Sequence, residues 1–160
     1  MRAINPEHIQ ALLALTNRSP YYELLSKKLS AVDIGYARVE IVLQNKHMNI
    51  LDSIHGGVYA ALIDTAAYWS VYCGLDEQAG HVSVDLCVNN LAGIHEGKII
   101  AEGRSIKIGR KLCTAEATVT DSTGTILAHG TSKMMIVSEE RSMHHVAARM
   151  GHALPPKFIQ

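Results

Sequence analysis

The sequence lacks an excess of charge of either sign. Its 160 residues carry 15 basic and 15 acidic side chains, so the formal net charge is zero. Proteins that bind nucleic acids or anionic membranes usually carry a basic excess. We therefore expect neither as a partner. A chain of this length is expected to form one domain with a sizeable core.

Cysteines are few, and their spacing disfavours two further classes of protein. Cys73, Cys87 and Cys113 are odd in number, far apart and set in apolar or strand-like runs. This pattern is typical of reduced core thiols and not of a disulfide framework or a zinc site. The first ten residues are too polar for a signal peptide. We therefore expect a cytoplasmic protein with no metal site and no cofactor.

Several catalytic and nucleotide-binding motifs are absent as well. The sequence contains no G-x-S-x-G nucleophile elbow, no Walker A motif and no dinucleotide-binding glycine fingerprint. A serine hydrolase of the elbow type, a P-loop enzyme and a dinucleotide-dependent enzyme are therefore not expected.

A long apolar stretch runs from Gly56 to Leu75, and Asp64 is the only charged residue within it. A stretch this apolar on all sides predicts a helix that is buried nearly all round and ends near Cys73-Gly74. A membrane span is disfavoured, because the stretch is short, begins with two glycines and carries a carboxylate at its middle.

Two features of this helix could carry chemistry. Asp64 is either satisfied by a neighbouring backbone or hydroxyl group or is catalytic, because a lone buried carboxylate is costly. Gly56 and Gly57 leave N–H groups open at the positive end of the helix dipole, where an oxyanion could be stabilised. The glycines could equally serve tight packing against a sheet.

Apolar periodicity predicts the other elements. Residues 5–29 look helical, with Asn5 as an N-cap and a second short helix from Ser19-Pro20. These helices either pack on a sheet or form a lid lined by Tyr21 and Tyr22. Alternation predicts strands in the segments that follow, with a turn near Gly35 in the first: residues 30–44, 81–88, 99–108, 112–120 and 126–137.

The predicted fold class is α+β, with a long central helix wrapped by an antiparallel sheet of five or six strands. Residues 1–138 are expected to form the domain, with residues 1–29 as its N-terminal helical segment. Residues 139–160 are expected to add a short helix and an extended or frayed tail. A second subunit could cover part of the central helix.

One set of residues combines an asparagine, an H-G-G and a helical carboxylate with a serine in the next strand and a basic turn. Its members are Asn49, His55-Gly56-Gly57, Asp64, Ser83 and Gly109-Arg110-Lys111. The set resembles the hotdog-fold acyl-CoA thioesterases of the 4-hydroxybenzoyl-CoA thioesterase superfamily, most closely the phenylacetate-degradation (PaaI) branch. The resemblance covers residues 35–137.

The resemblance implies hydrolysis of acyl-CoA by a homodimer or homotetramer with active sites at subunit interfaces. Asp64 would be the general base or nucleophile and would act on a thioester held against the other subunit. The N–H of Gly57 would be the main oxyanion donor, with Gly56 in the same turn.

The resemblance also implies supporting roles. Asn49 and His55 would orient the thioester and support the loop, and Ser83 would help to position the attacking water. Arg110 and Lys111 would lie near the coenzyme A phosphates.

One position departs from the PaaI pattern, because Asp52 stands where that branch often has glycine. A non-hydrolytic acyl-CoA or acyl-carrier binding protein therefore remains an alternative. A hotdog hydratase or dehydratase is a third hypothesis, disfavoured by the absence of its His-to-Asp loop.

Overall fold

The computed structural model describes residues 3–159, which form four α-helices and eight strands in an α+β arrangement. The helices are α1 (Pro6–Thr16), α2 (Pro20–Leu25), α3 (Gly56–Tyr72) and α4 (Met143–Arg149). The strands are β1 (Ala3–Ile4), β2 (Lys27–Asp33), β3 (Tyr36–Val42), β4 (Gly80–Asn90), β5 (Lys98–Ile108), β6 (Leu112–Asp121), β7 (Ile126–Val137) and β8 (Phe158–Ile159). The predicted fold class is confirmed.

The main sheet has six antiparallel strands in the order β2-β3-β5-β6-β7-β4. The turn expected near Gly35 joins β2 to β3, and Gly35 has a positive φ of 71°. The expectation of helix up to residue 29 was wrong. Ser26 adopts a left-handed conformation after α2, and β2 begins at Lys27.

Helix α3 is the centre of the core. Eleven of its 17 residues are buried, which confirms a helix covered on most sides. Gly103 on β5 lies directly under the backbone of Ala66, so that even a methyl group at residue 103 would collide with the helix. This glycine lets the helix sit close to the sheet. Within residues 3–159, no helix is long and apolar enough to cross a membrane.

Strand β4 forms one open edge of the sheet. Residues 83–87 are all exposed, including the apolar side chains of Val84 and Leu86, which are 52% and 41% exposed. Cys87 was expected in the core but is exposed on this edge, whereas Cys73 and Cys113 are buried. A long apolar edge strand is a ready template for pairing with another strand.

The end of the chain is tied to the end of α3. Lys157 is fully buried, and its Nζ donates hydrogen bonds to the carbonyls of Tyr72, Leu75 and Asp76 at 3.3, 3.0 and 3.0 Å. The Tyr72 carbonyl lies at the negative end of the α3 dipole, where a buried ammonium is stabilising, and Leu75 and Asp76 lie in the segment that follows the helix. The tail is therefore extended, as expected, but it is held in place and not frayed.

His81 is buried at the start of β4. Its ring stacks on Tyr68 with 3.9 Å between ring centroids, and its Nε2–H donates to the Tyr68 carbonyl at 3.1 Å. Burial lowers the pKa of His81 to about 4, and the charge of Lys157 acts in the same direction. Burial also lowers the pKa of His8, which links α1 to Tyr72.

We expect the protein to lose stability between pH 6.5 and pH 4. The unfolded chain takes up a proton on His81 near pH 6.5, whereas the folded chain resists it until about pH 4. The contribution is therefore complete above pH 6.5 and lost as the pH falls, by an amount on the order of 3 kcal/mol. Urea unfolding across this range measures it. His81→Gln should make the profile shallower, with the contribution of His8 remaining, whereas the exposed control His95→Gln should not change it. Identical profiles for the wild type and His81→Gln would contradict the expectation.

Candidate active site

Asp64 and Ser83 meet where α3 faces β4. The Ser83 hydroxyl donates a hydrogen bond to Asp64 Oδ1 at 2.9 Å. Asp64 is half-buried and also lines a cavity, so the carboxylate is both satisfied by a hydroxyl and accessible. This pairing is the arrangement that a general base needs, because a base must be held in place and still reach its proton.

Asn49 shapes the loop that precedes α3. Its Oδ1 accepts hydrogen bonds from the N–H groups of Leu51 and Ser53 at 2.8 and 3.3 Å. Asp52 lies within this loop with a φ of +54°. Aspartate enters the left-handed region more readily than most residues, which explains how it can occupy a position where glycine is common. In this structure Asn49 supports the loop.

His55 caps the N-terminus of α3 and engages one of the two N–H groups that were expected to be open. Its Nδ1 accepts the N–H of Gly57 at 2.8 Å. The N–H of Gly57 is therefore already engaged. The N–H of Gly56 is at the first helical residue, where no intrahelical acceptor exists. The structure thus favours Gly56, and not Gly57, as the main open donor at the helix dipole.

The expected site residues fall into three groups in one chain. Asp64 follows Gly56 by eight residues, which separates them by roughly 12 Å along the helix axis. The strand register aligns Ser83 with Met134 and Cys113, so the turn at Arg110-Lys111 lies at the Ser83 end of the sheet. The first group, at the loop and helix start, is Asn49, His55, Gly56 and Gly57. The second, at the middle of the helix, is Asp64 and Ser83. The third, at the basic turn, is Arg110 and Lys111.

A cavity of about 320 Å³ opens beside Asp64. Its walls are largely apolar, with contributions from Trp69 and Met143, and they also include Lys27. Sequence reasoning missed Lys27 because the segment was assigned to a helix. The sequence does contain a sign of its burial. Lys27 and Leu29 are two residues apart, and in a strand this spacing puts both side chains on the same, buried face of β2.

Comparison with known proteins points to the thioesterases. The sequence profile described as the thioesterase superfamily matches residues 51–128. Over this stretch the chain is similar to the thioesterase superfamily. Mouse acyl-coenzyme A thioesterase 13 is 23% identical over 128 residues, which cover 78% of this chain and 91% of that protein. These similarities confirm the expectation of an enzyme in the general class of thioesterases.

Solved structures show the same fold. A thioesterase from Haemophilus influenzae has a TM-score of 0.76 at 20% identity, covering 85% of this chain and 94% of that one. The phenylacetic acid degradation protein PaaI of Thermus thermophilus has a TM-score of 0.66 at 19% identity, covering 73% of this chain and 98% of that one. The hotdog fold and the likeness to PaaI are thus confirmed.

We expect the His55 cap to be measurable as stability. His55→Ala should lower the free energy of unfolding by about 1 kcal/mol, because the N–H of Gly57 loses its acceptor. His55→Asn should restore most of the loss, because an asparagine oxygen also accepts an N-cap hydrogen bond. Chemical denaturation of the three proteins tests this. An equal loss in both variants would show that the histidine ring stabilises the fold in some other way.

Proposed function

We propose that this thioesterase hydrolyses acyl-CoA to a free acid and coenzyme A, in active sites that two subunits build together. The observation that carries the proposal is the separation of Asp64 from the open N–H of Gly56, roughly 12 Å along one helix. The two groups of a single chain cannot act on one carbonyl. Two copies can bring Asp64 of one subunit to the helix start of the other.

The open edge of the sheet supports this assembly. Pairing β4 with the same strand of a second copy would satisfy its free backbone groups and cover Val84 and Leu86. This pairing would lie beside Ser83, which is on the same strand, and beside Asp64, which is on the adjoining helix. A homodimer is thus the smallest active unit, and two dimers could form a tetramer. The buried free thiols of Cys73 and Cys113 suit a reducing, cytoplasmic location.

The chemistry follows from these positions. Asp64 takes a proton from water as the water oxygen bonds to the thioester carbon, and Ser83 holds the carboxylate. The N–H of Gly56 stabilises the negative carbonyl oxygen. The carbon–sulfur bond then breaks, and the coenzyme A thiolate recovers a proton. Arg110 and Lys111, both exposed, would attract the coenzyme A phosphates.

Replacing the proposed base tests the reaction. Asp64→Asn should lower kcat by about 10²–10⁴-fold, because the amide cannot accept the proton from water. Thiol release from a panel of short, medium, long and aryl acyl-CoAs measures the effect. Asp52→Asn is the matched control and should retain activity, because residue 52 lies in the exposed loop. If Asp52→Asn loses activity and Asp64→Asn does not, Asp52 would be the base in place of Asp64. If the wild-type protein binds coenzyme A esters but hydrolyses none of them, the alternative of a binding protein would be favoured.

Mixing two inactive subunits tests the shared site. Gly56→Pro deletes one N–H while keeping a residue that the first helical position tolerates, so kcat should fall by about 10²–10³-fold. Coexpression of Gly56→Pro with Asp64→Asn should restore about one quarter of wild-type activity, since half the dimers would be mixed and each would keep one intact site.

Gly56→Ala is the control for added bulk. Its Cβ would lie 2.7 Å from the Asn90 Nδ2, and the exposed Asn90 side chain can move aside. It should therefore keep most of the activity. Failure of the mixed subunits to recover would contradict a shared site, and an equal loss in Gly56→Ala would show that bulk, not the missing N–H, is responsible.

A further inference from the structure

The cavity beside Asp64 contains a buried ammonium that the proposed reaction does not use. Lys27 is 6% exposed, and its Nζ donates a hydrogen bond to Thr65 Oγ1 at 2.7 Å. The rings of Tyr22 and Tyr21 lie 4.3 and 4.7 Å from the same nitrogen. A lysine side chain is rarely buried unless it has partners.

The partners of Lys27 leave part of its capacity unused. An ammonium has three N–H donors, and within residues 3–159 Thr65 is the one acceptor that takes a hydrogen bond from it. Thr65 in turn donates to the Ala61 carbonyl at 2.6 Å, so its own proton is engaged. Burial lowers the pKa of Lys27 to about 8, and the charge of Asp64 only partly opposes this. The positive charge of Lys27 is therefore only partly balanced by hydrogen-bond acceptors and negative charge around it.

A second polar group in the cavity is also unsatisfied. Thr16 is 7% exposed, and its Oγ1 has no hydrogen-bond partner within the described residues 3–159. It lines the same cavity as Lys27. A buried polar atom without a partner costs about 1–3 kcal/mol. The cavity thus has a partly used donor in Lys27 and an unpartnered hydroxyl in Thr16, and it is suited to a ligand that brings an oxygen to them.

We propose that this cavity receives the acyl group and that Lys27 and Thr16 select acyl groups bearing an oxygen function over plain alkyl chains. The inference rests on the proposed function and names its substrate class. The oxygen can be that of a hydroxyl, a keto group or a carboxylate, because each accepts a hydrogen bond from an ammonium. A volume of about 320 Å³ suits a short or medium chain, since ligand pockets begin at about 300 Å³.

Matched six-carbon thioesters test the selection. We would measure kcat/KM for hexanoyl-, 3-hydroxyhexanoyl-, 3-oxohexanoyl- and adipoyl-CoA, which differ mainly in where and how they carry oxygen. The wild type should prefer at least one oxygenated ester over hexanoyl-CoA by about tenfold or more, because a site built to bond an oxygen discriminates against the analogue without it. The preferred ester identifies the oxygen function.

Two neighbouring lysines provide the variant and its control. Lys27→Met keeps the length of the side chain but removes the donors, and it should lower the ratio of oxygenated to plain ester by about tenfold. Lys28→Met makes the same change on the exposed face of β2 and should leave the ratio unaltered. Thr16→Val, which preserves side-chain shape, should also lower the ratio and provides the test if Lys27→Met does not fold.

The outcomes separate this inference from the proposed function. Equal efficiency of the wild type on all four esters, or an unchanged ratio in both Lys27→Met and Thr16→Val, would overturn the inference alone. Absence of hydrolysis of every ester in the wider panel would overturn the proposed function and the inference with it. A preference that disappears in the cavity variants and persists in Lys28→Met would establish the selection.

Discussion

A helix with apolar residues on every side must be covered on every side, and the fold is organised around that requirement for α3. The sheet covers most of it, and Gly103 allows the closest approach. The N-terminal helices supply another part of the cover, where Tyr22 accepts a hydrogen bond from Trp69 Nε1 at 2.8 Å. The half-buried face that carries Asp64 lies next to the open edge strand. The same demand for burial thus accounts for the core, the front helices and the proposed dimer.

Much of this fold could be predicted from the sequence, because strong periodicity reflects burial. Strand β7 was expected with the bounds that it has, and α3 was expected from its unbroken apolar content. The start of β2 could not be predicted, because Ser26 stops α2 in a conformation that its residue type does not favour. The held tail was also missed, since nothing local to Lys157 indicates that it contacts the carbonyls at and just after the end of α3.

The sequence motif named most residues of the candidate site but not all of their contacts. The motif named Asp64 and Ser83, and the structure joins them. It also named Gly57, whose N–H proves to be bonded to His55. Sequence spacing cannot reveal which N–H a neighbouring side chain has already taken. Nor could it identify Lys27 as part of a cavity, because that depends on which face of β2 meets α3.

The buried Lys157 also has a consequence for how the chain is made. A ribosome delivers residues from the N-terminus onwards, so α3 is complete long before the lysine that bonds the carbonyls of Tyr72, Leu75 and Asp76 emerges. Strand β1 likewise waits for β8, its partner from the opposite end of the sequence. Such contacts between the two ends raise the contact order of the fold. Until Lys157 emerges, the end of the central helix relies on its own backbone turn, in which the N–H of Leu75 donates to the Tyr72 carbonyl at 3.2 Å.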